Sequence, residues 1–473
     1  MSQLQTGWGA LLGGRNSIRS IALAGGVGLH AVNVYLVTTI LPSVVADIGG
    51  LGYYAWNTTL FVVASIVGSA TSVRLLETSG PRLAYVVAAF VFGLGTVACA
   101  LALTMPMMLA GRFIQGLGGG LLVALSYSMI RLVFPESLWP RAMALVSGMW
   151  GVATLVGPAV GGVFAELGHW RAAFWTMVPV IALFALLAFG VLPKRDREAD
   201  GARGKRPALP VAQLFLLSLA VAAVSVGSIA PDPLSNLAGV AIALLLLFVL
   251  MGVERTAKQR LLPRGSFSLN AALGPVFLSM MMLAVTVTGS EIFVPLFLQV
   301  LHAQQPLMAG YLAALMGAGW TMGSIWSSGV QGHRVGRNIR LAPAVVLVGM
   351  ASLAVLVPGT SIGTWQTLAP ICVALLVAGA GVGIGWPHLL TRVLQVAPAD
   401  EQGLASAAIT TVQLFATALG AALAGMVANM AGLIDPGGVP GTSATAMWLF
   451  AVFAMAPAIG LFSAARVARA RQG

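Results

Sequence analysis

Two titratable side chains that could carry a proton lie inside long apolar stretches of the sequence. Glu291 stands in TVTGSEIFVPLFL, with no other charged residue for many positions on either side, and His30 lies in the first apolar stretch. Apolar surroundings favour the uncharged form of a carboxyl group, so such a group can bind and release a proton near neutral pH. The alternatives are a glutamate held in a fixed polar network or near an interface, and a histidine with a hydrogen-bonded structural role.

Arg112 lies early in another apolar stretch, MLAGRFIQGLGGG (108–120), three residues before Gln115. An arginine at membrane depth is costly and normally faces the interior of a helix bundle, where it has a function. The alternative is a long side chain that reaches out to the membrane interface.

Polar and aromatic residues in the apolar stretches are candidates for lining a substrate cavity: Asn33, Tyr35, Gln115, Tyr127, Trp150, Trp320, Trp326, Trp386 and His388. The aromatic members suit a bulky lipophilic ligand better than a sugar, whose hydroxyl groups need many polar partners. Their alternative role is packing or anchoring at the membrane interface, and His388, which follows Trp386-Pro387, could equally belong to a helix kink.

No set of residues predicts a cofactor or a metal. Cys99 and Cys372 stand alone in apolar stretches, and the five histidines are scattered along the chain. The sequence holds no G-x-x-x-x-G-K-[ST] motif for binding nucleotide phosphates. Any transport is therefore expected to use a proton gradient or the substrate gradient as its energy source.

The composition identifies the elements that must position these residues. Of 473 residues, 58% are hydrophobic and 8% are charged, whereas soluble proteins carry roughly 25% charged residues. The chain therefore has too few charges to cover a water-exposed surface. The apolar stretches are continuous over about twenty residues, which predicts helices rather than the alternating strands of a membrane barrel.

Fourteen apolar stretches are long enough to cross a bilayer core of roughly 30 Å as helices. They lie at about 20–46, 55–75, 83–103, 105–131, 142–166, 170–192, 209–229, 236–253, 271–299, 307–330, 341–358, 366–394, 404–430 and 445–467. The seventh and eighth, joined by APDPLSN, could instead form a re-entrant pair.

The spans predict five consecutive regions: a six-helix bundle at 17–192, a cytoplasmic linker at 193–208, two additional helices at 209–254, a cytoplasmic loop at 255–270 and a second six-helix bundle at 271–468. Two six-helix halves with a substrate site between them are typical of secondary transporters.

The distribution of charge predicts the orientation. The net charge is +12, and most of the basic residues lie before the first span, after the sixth, eighth and tenth spans, and at the end of the chain. These positions share one side, and Arg171 is the one basic residue at the opposite edge. Lysine and arginine are enriched in cytoplasmic loops, so both termini are expected in the cytoplasm. The same pattern explains the net charge without nucleic acid as a partner.

Several motifs resemble those of the major facilitator superfamily, specifically its fourteen-helix drug:proton antiporter branch. GVATLVGPAVGG (151–162) resembles the antiporter signature, with Gly157, Pro158, Gly161 and Gly162 at its key positions. MLAGRFIQGLGGG resembles the family motif with an embedded arginine, which implies a role for Arg112 in proton coupling. LPSVVADIGG (41–50) and HWRAAFWTMVP (169–179) resemble further segments of this branch.

Two positions depart from the family patterns. SVRLLETSGPRLAY (72–85) resembles only in part a cytoplasmic loop that latches the two halves, with Glu77, Gly80 and Arg82 at the matching positions. Many members of the branch have an aspartate in the first span where this chain has Asn33. Since asparagine cannot titrate, the resemblance leaves Glu291 and His30 as the candidate proton carriers.

The resemblance implies a monomeric antiporter that exports a small lipophilic or drug-like molecule, with protons and membrane lipids as its other partners. A dedicated exporter of a metabolite, siderophore or lipid is the alternative within the same fold. A non-transporting receptor and a membrane enzyme acting on lipids are further alternatives. The enzyme should show clustered catalytic residues at one interface, and the sequence shows no such cluster.

Overall fold

The structure is a computed structural model that describes residues 8–194, 209–230 and 232–469, so most of the predicted linker lies outside the described residues. The described residues form sixteen α-helices and no strand. The helices are α1 (Trp8–Leu12), α2 (Gly14–Ile48), α3 (Trp56–Ala100), α4 (Met105–Val133), α5 (Trp139–Glu166), α6 (Trp170–Val191), α7 (Val211–Gly227), α8 (Pro233–Thr256), α9 (Leu273–Glu291), α10 (Val294–His302), α11 (Pro306–Ser328), α12 (Arg334–Leu356), α13 (Trp365–Val396), α14 (Gln402–Met430), α15 (Gly438–Phe453) and α16 (Met455–Arg469).

Each of the fourteen predicted spans coincides with one of these helices, with part of one, or with a pair of them. Eleven segments among the described residues are long and apolar enough to cross a membrane, and one of them, Leu51–Ala100, contains two predicted spans. The two remaining predicted spans correspond to α7, which is a shorter apolar helix, and to α11. The predicted all-helical membrane architecture is confirmed, while the count of fourteen crossings stays a prediction.

Two predicted spans are each broken into two helices by a proline. Pro295 has no N–H to donate to the carbonyl of Glu291, four residues earlier, so α9 ends at Glu291 and α10 begins at Val294. Pro457 has the same relation to Phe453, where α15 ends. The continuous helix expected at 271–299 is therefore a broken one, with Glu291 at the break.

The chain forms two compact units. Unit 1 comprises Met1–Gly49 and Leu60–Leu209, and unit 2 comprises Gly50–Thr59 and Pro210–Gly473. The finer division into bundles, linker and inserted pair remains a prediction.

In unit 1, α2 packs against α4, α5 and α6. One end of this unit is fixed by Asp47, which accepts hydrogen bonds from Arg171 at 2.6 Å and from the Trp170 indole at 3.1 Å. Arg171 also donates to the carbonyl of Ala102 at 2.8 Å. Arg171, the isolated basic residue of the sequence pattern, therefore joins α2, α6 and the α3–α4 turn.

In unit 2, α7 and α8 form a hairpin that contacts α14 through α7. Asp232 caps α8 by accepting a 2.7 Å hydrogen bond from the backbone N–H of Ser235, which lowers the pKa of Asp232. Asn429 on α14 donates to the carbonyls of Gly52 and Ser228 at 3.1 and 2.8 Å. This amide fastens the segment Gly50–Thr59 and the end of α7 to unit 2.

Candidate functional site

Arg112 is the centre of a buried polar network in unit 1. Its side chain is enclosed at 2% exposure, and Nη1 donates to Oδ1 of Asn33 at 2.6 Å and to Oε1 of Gln115 at 2.5 Å. Gln115 in turn donates through Nε2 to the hydroxyl of Thr96 at 2.9 Å. Arg112 therefore lies inside the helix bundle and does not extend to the interface. The two amide oxygens are neutral, so they solvate the guanidinium without cancelling its charge.

Aromatic rings cover this network. The guanidinium carbon of Arg112 lies 4.1 Å from the centroid of the Phe61 ring, within the range of a cation–π interaction. The His30 ring lies 5.1 Å from the same ring and 5.9 Å from that of Trp150. Nδ1 of His30 is buried next to Gly119, where a Cβ atom would lie 2.7 Å from it. Arg112 and His30, predicted from separate apolar stretches, therefore both contact the Phe61 ring.

Glycines of α4 let it approach α3 closely enough to enclose the network. A Cβ atom on Gly116 would collide with the carbonyl of Phe61, and one on Gly118 would collide with the backbone of Phe92. Backbones that approach this closely are typical of small-residue interfaces in membranes. The glycines of GLGGG, which immediately follow Gln115, therefore help to position Arg112 and Gln115 between α2 and α3.

The antiporter-like motif on α5 packs against α2. A Cβ atom on Gly157 would collide with Cβ of Tyr35, and one on Gly161 would lie 2.8 Å from the carbonyl of Leu36. Pro158 lies inside α5, and Gly162 is buried on the same helix. The expected close helix contact is therefore present, within unit 1.

Leucine at Gly157 is expected to destabilise the protein and to abolish transport, because α5 and α2 would have to separate. Overpacking of this kind costs typically about 1–3 kcal/mol. Thermal unfolding in detergent and transport in liposomes measure the two effects. Gly151→Leu on the same helix is the matched control, since a Cβ atom there meets nothing within 4 Å. Equal unfolding temperatures for the two variants would show that the α2–α5 contact is adaptable.

The other candidate cavity residues of unit 1 are spread along the helices. Tyr35 packs on Gly157, and the hydroxyl of Tyr127 lies 3.4 Å from that of Ser147 on α5. Trp150 contacts the His30 ring and is 37% exposed, so part of its indole can also contact a ligand. Their contact with substrate remains a prediction.

The loop between the second and third predicted spans is a sharp break within α3. Gly80 has φ 75° and ψ 168°, a conformation that favours glycine, and Pro81 follows it. Arg82 donates through Nε to the carbonyl of Leu192 at 3.1 Å, which fastens α3 to the end of α6. Glu77 forms no ion pair among the described residues. The latch implied by the resemblance therefore stays a prediction.

In unit 2, Glu291 lies at the break between α9 and α10. Oε1 of its carboxyl group is enclosed and has no hydrogen-bond partner among the described residues. Phe293, also in the break, stacks on the ring of Tyr54 with 4.9 Å between centroids. The hydroxyl of Tyr54 is likewise buried without a partner there. The fixed polar network considered for Glu291 from the sequence is not present at this oxygen.

His388 belongs to a hydrogen-bond network in unit 2. Its Nε2 lies 2.8 Å from the hydroxyl of Ser327, which donates to the carbonyl of Ile384 at 2.6 Å. Asn338 donates to the same hydroxyl at 2.9 Å. The single hydroxyl hydrogen of Ser327 is used in the bond to Ile384. Nε2 of His388 therefore donates a hydrogen bond to the Ser327 oxygen, as Asn338 does. These bonds join α11, α12 and α13, which favours a structural role for His388.

Trp320 on α11 and Trp386 on α13 contact each other, with ring centroids 5.1 Å apart at an interplanar angle of 67°. Sequence analysis did not find Thr96, Ser327 or Asn338 as partners, because polar residues scattered in apolar helices show no spacing that marks their contacts. The nearest available signal was that Thr96 and Ser327 lie inside apolar stretches, whereas Asn338 lies among the basic residues before the eleventh span.

The long apolar helices of the described residues define a polytopic membrane protein. The sequence matches the profile of the Major Facilitator Superfamily over residues 23–421. The chain therefore belongs to the major facilitator superfamily, and this confirms the resemblance at the level of the superfamily. The fourteen-helix antiporter branch remains a prediction.

Two curated relatives and one solved structure show how far the similarity extends. A probable multidrug-efflux transporter of Mycobacterium tuberculosis (strain H37Rv) is 40% identical over 94% of this chain and 93% of its own length. A triacylglyceride transporter of Mycolicibacterium smegmatis is 28% identical over 86% and 75%. A POT family transporter, crystallised with 5-aminolevulinic acid, matches with a TM-score of 0.65 and 13% identity over 98% of both chains. The last match shows the shared fold alone.

Proposed function

We propose that this protein exports lipophilic or drug-like small molecules across the bacterial cytoplasmic membrane in exchange for protons. The observation that carries the proposal is Glu291, whose carboxyl group lies at a helix break inside a membrane span, with one oxygen enclosed and without a partner. Transporters place ion and substrate sites at discontinuous helices, because the broken backbone frees polar groups at membrane depth. The named activity of the 40% identical relative supports efflux as the direction.

Glu291 suits the role of proton carrier better than His30. A protonated Glu291 is neutral, so proton binding removes the penalty of a charge in apolar surroundings. A protonated His30 would instead add a second positive charge beside the aromatic ring that Arg112 contacts, and the two charges would repel each other. We assign proton binding to Glu291 and a fixed electrostatic role to Arg112.

Alternating access would couple the two fluxes. The central substrate site opens first to one side and then to the other, and each ligand shifts this equilibrium only by its differential affinity for the two states. Exchange requires that the proton and the substrate favour opposite-facing states. The energy source is the proton gradient, and the transport cycle needs no cofactor and no second subunit.

A dedicated lipid exporter is the second candidate function. It is favoured by the 28% identical relative, which is named a triacylglyceride transporter. Both candidates share an apolar substrate, in keeping with the aromatic residues Tyr35, Tyr127, Trp150 and Trp320.

Substrate accumulation in bacterial cells that lack their main efflux pumps tests the proposal. Cells that make this protein are expected to accumulate less of several lipophilic cations or neutral drugs than cells with an empty vector. A protonophore is expected to abolish the difference. Unchanged accumulation of every such compound, together with export of a labelled triacylglyceride, would replace the drug-exporter proposal with the lipid exporter.

The proposed orientation places both termini in the cytoplasm and the α7–α8 turn outside. Leu234 at this turn is 76% exposed, so cysteine there, in a Cys99→Ala, Cys372→Ala background, is expected to react with an impermeant thiol reagent in intact cells. Cysteine at exposed Lys258, beyond α8, is the matched control and should react only after permeabilisation. Labelling of both positions from the same side would show that α8 does not cross the membrane.

A further inference from the structure

An apolar cavity of about 220 Å³ lies within unit 2, beside the hairpin of α7 and α8. Its walls come from α7, α8, α9, α14 and the segment between α8 and α9, and include Leu250, Phe277, Met281 and Phe415. The volume is below the roughly 300 Å³ at which sites for drug-sized ligands begin. The cavity therefore fits a short aliphatic chain or one part of a larger molecule.

One buried carboxylate lines this apolar cavity. Glu254, near the end of α8, is 5% exposed, and its Oε1 accepts hydrogen bonds from the backbone N–H groups of Leu261 and Leu262 at 2.6 and 2.7 Å. Both donors are backbone N–H groups, so the acceptor capacity of the carboxyl group is used on one oxygen only. Oε2 is also buried, but it has no hydrogen-bond partner among the described residues.

The other polar side chains of the cavity wall do not satisfy Oε2. The hydroxyl of Ser266 donates to the carbonyl of Pro263 at 2.6 Å, and that of Thr411 donates to the carbonyl of Ala407 at 3.3 Å. Neither hydroxyl therefore has a hydrogen left for the carboxylate.

The guanidinium groups of the segment after α8 are directed to other carboxylates. Arg264 pairs with Asp400 at 2.6 Å and with Glu401 at 2.7 Å, and Arg260 lies 3.6 Å from Glu401. These ion pairs join the segment to the start of α14. They leave the buried charge of Glu254 without a paired cation among the described ion pairs.

We propose that this cavity binds the primary ammonium group of an aliphatic amphiphile, with the ammonium on Oε2 of Glu254 and the chain along Phe277 and Met281. A buried charge is stable in a protein when it is paired and hydrogen-bonded. An ammonium group supplies both the opposite charge and N–H donors, and the apolar wall accepts the methylene groups. The amphiphile can be a lipid with an ethanolamine head group or a free alkylamine.

Photolabelling with an octylamine that carries a terminal diazirine tests the site. The full-length protein is placed in nanodiscs of phosphatidylcholine, whose quaternary ammonium has no N–H donor, and labelled peptides are identified by mass spectrometry. The amine is expected to label peptides that contain Phe277, Met281 or Phe415 at least tenfold more than the matched octanol probe. Equal labelling by the alcohol would overturn the proposal, because the carboxylate would then contribute nothing.

Glu254→Gln keeps an oxygen for Leu261 and Leu262 and removes the charge, so it is expected to lower amine labelling at least tenfold. Arg255→Gln, at the exposed neighbouring position, should leave labelling unchanged. If Glu254→Gln fails to fold, Met281→Trp fills the cavity, keeps the carboxylate and is expected to abolish labelling. Wild-type labelling in whichever of these two variants folds would overturn the proposal.

Competition identifies the source of the ammonium group. Loss of labelling when phosphatidylethanolamine replaces part of the phosphatidylcholine supports a lipid site. Loss only with soluble octylamine supports a site for free alkylamines. If neither competitor lowers labelling of these peptides, the probe reacts non-specifically and the proposal fails.

Discussion

Replacing Glu291 by glutamine is expected to abolish substrate accumulation against a gradient, down to the level of liposomes without protein. Glutamine resembles the protonated carboxyl group in size and hydrogen bonding, but it cannot release a proton. The variant is therefore expected to bind substrate and to catalyse exchange of labelled for unlabelled substrate, because exchange needs no net proton movement. Substrate-driven proton movement and counterflow, measured in the same proteoliposomes, separate the two activities.

Two variants make this prediction about Glu291 specific. Glu136→Gln removes an exposed carboxylate from unit 1 and should leave both activities at the wild-type level. His30→Gln should retain proton coupling if Glu291 is the carrier. Full coupling in Glu291→Gln, together with its loss in His30→Gln, would move the proton site to the histidine of α2. Retained coupling in both would exclude both residues as the carrier.

Replacing Arg112 by alanine is expected to abolish transport as well, for a different reason. The change removes the donor for Oδ1 of Asn33 and Oε1 of Gln115, and a buried acceptor left without a donor costs about 1–3 kcal/mol. It also removes the fixed positive charge beside Phe61. Arg112→Lys keeps that charge but replaces the planar guanidinium, so it is expected to retain part of the transport rate.

Transport rates and unfolding temperatures of the Arg112 variants distinguish the charge from the hydrogen-bond geometry. A structural role alone predicts that loss of transport follows loss of stability in both variants. An electrostatic role predicts that Arg112→Lys transports more than Arg112→Ala at equal stability. Asn33→Ala is the matched control, because it removes one hydrogen-bond acceptor of Arg112 and keeps the guanidinium. It therefore separates the loss of a hydrogen bond from the loss of the charge. Wild-type transport by Arg112→Ala would exclude Arg112 from coupling.

The sequence predicted the helices well, because a helix that crosses the lipid must consist mainly of apolar residues. A span needs about twenty apolar residues in succession, and each predicted stretch coincides with a helix, part of a helix or a pair of helices. The break at Glu291 was not predicted, although Pro295 was visible in the sequence. A proline within a span can either kink or interrupt a helix, and packing of the surrounding helices selects between these outcomes.

The candidate site was only partly predictable. Arg112 and Glu291 stood out because an isolated charge in an apolar stretch is rare. The hydrogen-bond partners in the Arg112 network could not be recognised in the same way, because they are distant in the sequence. Asn33 lies 79 residues before Arg112, and Thr96 lies 19 residues before Gln115. Glu254 escaped notice because it lies directly after the predicted span 236–253, next to Arg255 and close to further basic residues, where a charge is ordinary.

The sequence by itself therefore determined the membrane class, the apolar segments and the superfamily, each of which depends on short-range composition or on local motifs. The tertiary structure alone decided which polar groups are satisfied. Arg112 has amide oxygens from two helices, while Glu254 and Glu291 each keep a buried oxygen without a partner among the described residues. The physical reason is that a hydrogen bond depends on distances of about 3 Å between atoms far apart in the chain, which only helix packing sets.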